Sequence, residues 1–250
     1  MRAQLKIGII ADKSEDVTED LLTRFAETYA LPQAPSPDAD WDYFLQNRNG
    51  TLELCDNRPV TDSANPLSVN FTSGPSLYRF KFDRRINQPL ARAVGIKQGI
   101  RPKVCDLTAG FGNDGFVLAG LGCQVIFVER NPVIWALLQD GLRRGCEHHE
   151  TGIFLRSNVG LVCSDAKTFL EKSDQTFDTL FLDPMYPKSG KRALTKIKMR
   201  VLRDLVGDDD DSAELLRFSL EYPNKMRVVV KRPVAAPFIS GFRPSFEIKG

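Results

Sequence analysis

Ten consecutive residues, Asp106-Leu107-Thr108-Ala109-Gly110-Phe111-Gly112-Asn113-Asp114-Gly115, carry the densest chemistry in the chain. The apolar residues Val104 and Cys105 lead into them, and a second apolar run, residues 125–128, ends on Glu129. The order is strand, glycine-rich turn, helix, strand, acid. It makes a site for an adenosine-containing cofactor: glycines let a ligand approach the backbone, amides at the helix start face it, and the acid holds the ribose hydroxyls. The spacing Gly110-x-Gly112-x-x-Gly115 also fits a NAD enzyme. Yet Asp106 and Asp114 would repel a pyrophosphate seated at the helix N-terminus. The sulfonium and ammonium of S-adenosyl-L-methionine gain from the same carboxylates. The residues therefore favour S-adenosyl-L-methionine.

A second constellation follows the apolar run 179–182: Asp183-Pro184-Met185-Tyr186. It resembles the (Asp/Asn/Ser)-Pro-Pro-(Tyr/Phe) loop of amino-methyltransferases, with Met185 in place of the second proline. The exocyclic amine of a nucleobase is a poor nucleophile because its lone pair is delocalised into the ring. A carboxylate and a backbone carbonyl that accept its two N–H bonds favour the pyramidal nitrogen of the transition state. Asp183 takes the first acceptor role, the Pro184 carbonyl the second, and Tyr186 stacks on the base to fix its plane. Attack on a methyl group then depends mainly on positioning.

Two basic stretches could meet phosphate. One holds Lys188, Lys191, Arg192 and Lys196, with no acid until Asp204; the other is Arg79-Phe80-Lys81-Phe82-Asp83-Arg84-Arg85. In the second, aromatic residues interleave with the cations Arg79, Lys81, Arg84 and Arg85, as phosphate contact plus base stacking requires. A solvated helix face is the plainer reading of either run.

These residues need elements to hold them. From about residue 101 the pattern alternates strand and helix, the mark of a mostly parallel α/β sheet. Strands are expected at 103–106, 124–128, 161–164, 179–182 and 227–231. Helices are expected at 114–121, from Asn131 as N-cap with Pro132 at the first helical position to Gly145, at 192–206 and at 212–222. Asp106, Glu129, Asp165 and Asp183 then sit at the carboxyl ends of four strands, where open α/β sheets bind ligands. Before that, residues 6–10 read as a strand and 15–29 as a helix. Residues 43–46 and 51–55 flank the hairpin signal Asn49-Gly50, and residues 67–71 and 77–82 read as a second strand pair. The expected organisation is a small N-terminal α+β domain at 1–75 and a Rossmann-like domain at 76–250.

The 250 residues carry 34 basic and 32 acidic side chains, so net charge argues neither for nor against nucleic acid. No apolar run approaches a membrane span. The five cysteines are an odd number without C-x-x-C spacing, and His148 and His149, on a helix or strand, would point apart. No metal site is expected, and a cytoplasmic setting is.

Asp-x-Thr-Ala-Gly-x-Gly-x-Asp (106–114), Val-Glu-Arg-Asn-Pro-Val (128–133), Leu-Asp-Pro-Met-Tyr-Pro (182–187) and Val-Val-Val-Lys-Arg-Pro (228–233) together resemble the bacterial 16S ribosomal RNA guanine-N2 methyltransferases. Residues 79–82 and 93–97 resemble the region before the loop. The likeness covers about residues 70 to 235 well and the N-terminal part loosely. It implies a class I, seven-stranded methyltransferase fold with a small N-terminal domain. The implied activity is methylation of a guanosine N2 amine near the 3′ end of 16S rRNA, with that rRNA or the 30S subunit as partner. The implied cofactor contacts fall on Asn113 and Asp114, on Glu129 and Arg130, on Asp165 and Ala166, and on Asp183. Glu129 would hold the ribose and Asp165 would face the adenine amine. Asn113 stands where an arginine is common, and Asp165-Ala166 where two small hydroxyl residues occur. The family pattern also continues beyond Lys249-Gly250 into another strand. An NAD-dependent oxidoreductase and a non-catalytic RNA-binding assembly factor are the competing classes; the first leaves Asp183-Pro184-Met185-Tyr186 without a purpose.

Overall fold

In the computed structural model, residues 5–10, 25–29, 31–32, 41–58, 66–82, 85–184, 201–202, 204–207 and 211–249 are described. The alternating half forms a five-stranded sheet of β4 (Lys103–Asp106), β5 (Gln124–Glu129), β6 (Val159–Cys163), β7 (Phe177–Leu182) and β8 (Lys225–Val230). The order is β6-β5-β4-β7-β8 with every pairing parallel. The strands are added outward on one side of the central β4 through β5 and β6 and then on the other through β7 and β8, so a crevice opens at the carboxyl ends between β5 and β7. Buried runs such as residues 127–129 and 179–182 suit strands covered on both faces. The resemblance implies seven strands; five form among the described residues. Residues 231–249 contain Pro233, Pro237 and Pro244, each without a ladder donor, and only a short turn of 3-10 helix, Ile239–Gly241, forms there.

The N-terminal strands make a separate sheet. β1 (Ile7–Ile10) runs parallel to β2 (Tyr43–Arg48), which pairs antiparallel with β3 (Thr51–Asp56). Asn49 (φ 52°) and Gly50 (φ 74°) form its two-residue turn, the left-handed pair that an Asn-Gly hairpin needs. This sheet leans on the helix Pro132–Glu147. The buried Asp140 accepts from the Leu52 amide at 3.1 Å and pairs with Arg143 and Arg144 at 2.9 and 2.8 Å. Arg144 in turn reaches the Val69 carbonyl. One apolar core, from Ile9, Tyr43 and Leu54 through Phe71, Phe116, Phe127 and Leu137, runs beneath both sheets.

Residues 77–82 are not a strand. They belong to the helix Gly74–Phe82, with Pro75 near its start, where a missing N–H costs nothing. Phe80 packs on Phe154 (centroids 4.7 Å) and Phe116 (6.2 Å), an inward anchor that a flat strand pairing with 67–71 would not supply. Leu67 makes only an isolated bridge to Leu54. Three helices, Pro89–Val94, Gly152–Asn158 and Ala166–Lys172, are too short for periodicity to reveal. Of the helices expected at 15–29 and 192–206, residues 25–28, 201–202 and 204–206 are helical, and most of the remainder lies outside the described residues. No described helix is long and apolar enough to cross a membrane.

Candidate functional site

β4 delivers Asp106 to the sheet's carboxyl edge, 3% exposed, where it accepts from the Thr108 amide at 3.3 Å. The turn beyond it is set by left-handed glycines, Gly110 at φ 53° and Gly112 at φ 71°. A side chain on Gly112 would stand 2.7 Å from Leu138 Cδ1, and one on Gly115 would overlap the Phe127 ring. Gly115 thus serves close packing of the helix Asn113–Gly120 onto β5 rather than access for a ligand. Asn113 and Asp114 open that helix.

Glu129 ends β5 buried, its Oε2 accepting from the Gly110 amide and its Oε1 from the Asn131 amide, each at 2.8 Å. It thereby fixes the turn against the neighbouring strand. Asn131 caps the following helix through Val133 and Ile134 amides at 3.0 and 3.2 Å, worth about 1 kcal/mol. Arg130 pairs with Asp211 at 2.7 Å, at the head of the helix Ser212–Glu221. Asp165 caps the helix Ala166–Lys172, its Oδ1 accepting from the Lys167 and Thr168 amides at 3.0 and 3.1 Å, and Ala166 is buried beneath it. On the far side of β4, Asp183 follows β7, its amide donating to Thr108 Oγ1 at 2.7 Å, and Pro184 is buried.

The structure gathers Asp106, Asp114, Glu129 and Asp183 at the switch point and sets Asp165 one strand further out, at the end of β6. Burial pushes the Asp106 carboxyl well above the usual carboxylate range, and the charges of Asp114, Asp183 and Glu129 add to the push while the Thr108 amide opposes it. Sequence reasoning gave no role to Lys231. Its amide extends the β8 ladder to the Leu182 carbonyl at 2.8 Å, and its Nζ lies 2.5 Å from Asp114 Oδ2 and 2.8 Å from Asp183 Oδ2. Burial alone would lower this lysine, but the two carboxylates outweigh it and push its pKa up to about 12. The signal was present: a cation directly after the apolar run 228–230, at the same sheet edge as the acids. Thr108 was passed over as well.

The donor set fits a cationic cofactor. Among the described residues, four carboxylates share the crevice with Lys231, and Arg79 stands 4.0 Å from Asp114. A sulfonium and an ammonium would relieve the crowding that holds Asp106 up, and a pyrophosphate would worsen it. Tyr186, Arg84, Lys188, Lys191, Arg192 and Lys196 lie outside the described residues. Arg79 and Lys81 sit in the last turn of the helix Gly74–Phe82, with Arg85 beyond it.

His148 and His149 do not point apart. They lie in the turn after the helix Pro132–Glu147, not on a regular element, so their rings come within 4.5 Å and lie near Glu150. Glu150 is held by Lys81 at 2.7 Å.

A family model described as "Putative SAM-dependent methyltransferase" matches residues 25–250. Ribosomal RNA small subunit methyltransferase J of Desulfotalea psychrophila is 42% identical over 238 residues, 94% of this chain and 90% of that protein. The protein of the same name from Pseudomonas aeruginosa is 41% identical over 228 residues, 91% of this chain and 85% of the relative. A SAM-dependent methyltransferase of Neisseria gonorrhoeae, known by crystal structure, superposes with a TM-score of 0.71 at 28% identity, covering 96% of this chain and 90% of that one.

Proposed function

Because the chain belongs to the family of SAM-dependent methyltransferases, we propose that it methylates the exocyclic N2 amine of a guanosine near the 3′ end of 16S rRNA. The names of its relatives support a small-subunit ribosomal RNA substrate. Family membership also removes the NAD-dependent oxidoreductase from contention. The observation that carries the reading is Asp183, an acid held at the switch point between Lys231 and the Thr108 hydroxyl, at the start of an Asp-Pro-x-Tyr loop.

When bound, S-adenosyl-L-methionine supplies an electrophilic methyl group on a sulfonium. In this reading the residues that hold it are Asp106, Gly110, Gly112, Asn113, Asp114, Glu129, Arg130, Asp165, Ala166 and Asp183. Glu129 takes the ribose hydroxyls, and Asp165 serves the adenine amine. Asp183 accepts one N–H of the guanine amine and the Pro184 carbonyl the other, so the nitrogen lone pair faces the methyl group. Tyr186 stacks on the base. Lys231 orients the Asp183 carboxylate as a hydrogen-bond acceptor, and the amine proton that methylation displaces would pass to solvent. Thr108 fixes the backbone at Asp183 so that this geometry is ready before substrate arrives.

The substrate is 16S rRNA, free or in the 30S subunit, and Arg79, Lys81, Arg84, Arg85, Lys188, Lys191, Arg192 and Lys196 supply the phosphate contacts. Residues 1–75 form the smaller unit, residues 76–250 the cofactor domain, and the setting is the cytoplasm. Transfer of labelled methyl from S-adenosyl-L-methionine into unmodified 30S subunits and protein-free 16S rRNA, followed by nucleoside analysis, tests this. N2-methylguanosine at one 3′-region site is the expected product, abolished by Asp183→Ala. Cofactor binding with no transfer to either RNA would refute the ribosomal assignment. RNA binding and assembly function that persist in Asp183→Ala would favour a non-catalytic factor.

A further inference from the structure

Two large aromatic rings stand in water beside the site. Tyr78 and Phe82, 64% and 69% exposed, lie four residues apart on one face of the helix Gly74–Phe82. Their ring centroids are 4.8 Å apart with planes tilted 40°. Phe80, between them in sequence, turns the opposite way onto Phe116 and Phe154, and a side chain on Gly120 would collide with it. The inner face of the helix is therefore committed to the core, and the outer pair turns away from it. Exposed aromatic area of this kind is unfavourable in a free monomer and marks a contact surface.

The setting of the rings restricts what covers them. The nine-residue helix contains no acid and places Arg79 and Lys81 in its last turn. Lys81 reaches Glu150 at 2.7 Å and Arg79 lies 4.0 Å from Asp114; in both pairs the cation is solvent-exposed and can turn to a phosphate. A second copy docked through this face would bring the same cations against each other. Nucleobases offer flat faces for the rings, and the phosphates between them offer charge for the cations. The helix is also tied to the cofactor turn. Ser76 Oγ donates to Asn113 Oδ1 at 3.5 Å, and Arg79, Asp114, Lys231 and Asp183 follow one another at 4.0, 2.5 and 2.8 Å.

We infer that Tyr78 and Phe82 form a stacking platform for the single-stranded RNA that flanks the target nucleotide, with Arg79 and Lys81 on its phosphates. The platform rests on the RNA reading above and extends it to a surface outside the methyl-transfer site. It also specifies an unpaired segment, because a base within a duplex cannot present its face to a side chain.

The test is fluorescence anisotropy with a short labelled single-stranded RNA and with its duplex. One base stacked on the paired rings, worth about 1–3 kcal/mol, predicts that Tyr78→Ala/Phe82→Ala weakens single-strand binding roughly 5- to 160-fold. Duplex binding changes little, and Tyr78→Phe and Phe82→Tyr keep the wild-type affinity. S-adenosyl-L-methionine binding, measured by calorimetry, stays unchanged in the double variant and reports that the fold is intact. Equal single-strand affinity of wild type and double variant would overturn the platform. So would a dimer-to-monomer change in sedimentation with RNA affinity unaltered, which would assign the rings to a second copy. Failure of the methyltransferase reading shows separately, as wild-type protein that binds cofactor and RNA but leaves rRNA unmethylated.

Discussion

Replacing Lys231 by methionine removes the ammonium that joins Asp114 to Asp183 while keeping the length of the side chain. Two unit charges about 4 Å apart attract by about 4 kcal/mol at an effective dielectric constant of about 20. Here the lysine side chain is 50% exposed and that of Asp183 37%, so solvent screening leaves roughly 1 kcal/mol per pair. Losing that attraction frees Asp183 from its fixed orientation, and because about 1.4 kcal/mol is a tenfold change in rate, kcat falls about tenfold. Affinity for S-adenosyl-L-methionine does not weaken, since a cation has been taken from a site that receives another. Lys231→Arg keeps the cation beside both carboxylates and retains most of kcat. The assay is the initial rate of methyl transfer into rRNA at neutral pH, with cofactor affinity measured separately. An unchanged kcat in Lys231→Met, or a loss lying wholly in cofactor affinity, would refute the reasoning. The same pair has a folding signature. With its folded pKa raised to about 12, Lys231 contributes stability that is fully present below about 10.4 and lost as pH rises through 12. The stability gap between wild type and Lys231→Met therefore closes only in strong alkali.

Asp106→Asn keeps the acceptor for the Thr108 amide and removes a buried charge that three neighbouring carboxylates oppose. A raised carboxyl costs stability above its unfolded pKa of about 3.9, so at neutral pH the variant melts higher than wild type while binding S-adenosyl-L-methionine more weakly. Thermal denaturation and calorimetry read the two effects. Glu129→Gln gives one of two backbone amides, that of Gly110 or of Asn131, an NH2 group in place of an acceptor. A loss of about 1–3 kcal/mol in denaturant titration and a weakened cofactor affinity are expected. Gly115→Ala forces a methyl group into the Phe127 ring and should cost about 1–3 kcal/mol. A stability indistinguishable from wild type would show that the helix Asn113–Gly120 can move off β5 freely.

Local sequence determined most of the parallel sheet and its acids. Strand periodicity, the Asn131-Pro132 helix start and the Asn49-Gly50 turn are set by neighbours in the chain, so 103–106, 124–128 and the hairpin could be read directly. The carboxyl-end rule then placed Asp106, Glu129, Asp165 and Asp183, because a strand's direction and length fix where its last residue emerges. Residues 77–82 show where local reading fails: alternating aromatic and basic residues look like a strand. What decides for a helix is a distant pocket, Phe116, Phe154 and Gly120, that accepts Phe80 and turns Tyr78 and Phe82 outward. His148 and His149 converge for the same kind of reason, since the helix ends one residue before them. Lys231 was visible as a residue but not as a partner. Its two carboxylates are 117 and 48 residues away in sequence, and only the β4-β7-β8 order brings them within reach. Sequence determined which groups the site contains; tertiary structure decided which charges meet, because electrostatic pairing depends on distance in space and the chain's spacing does not encode it.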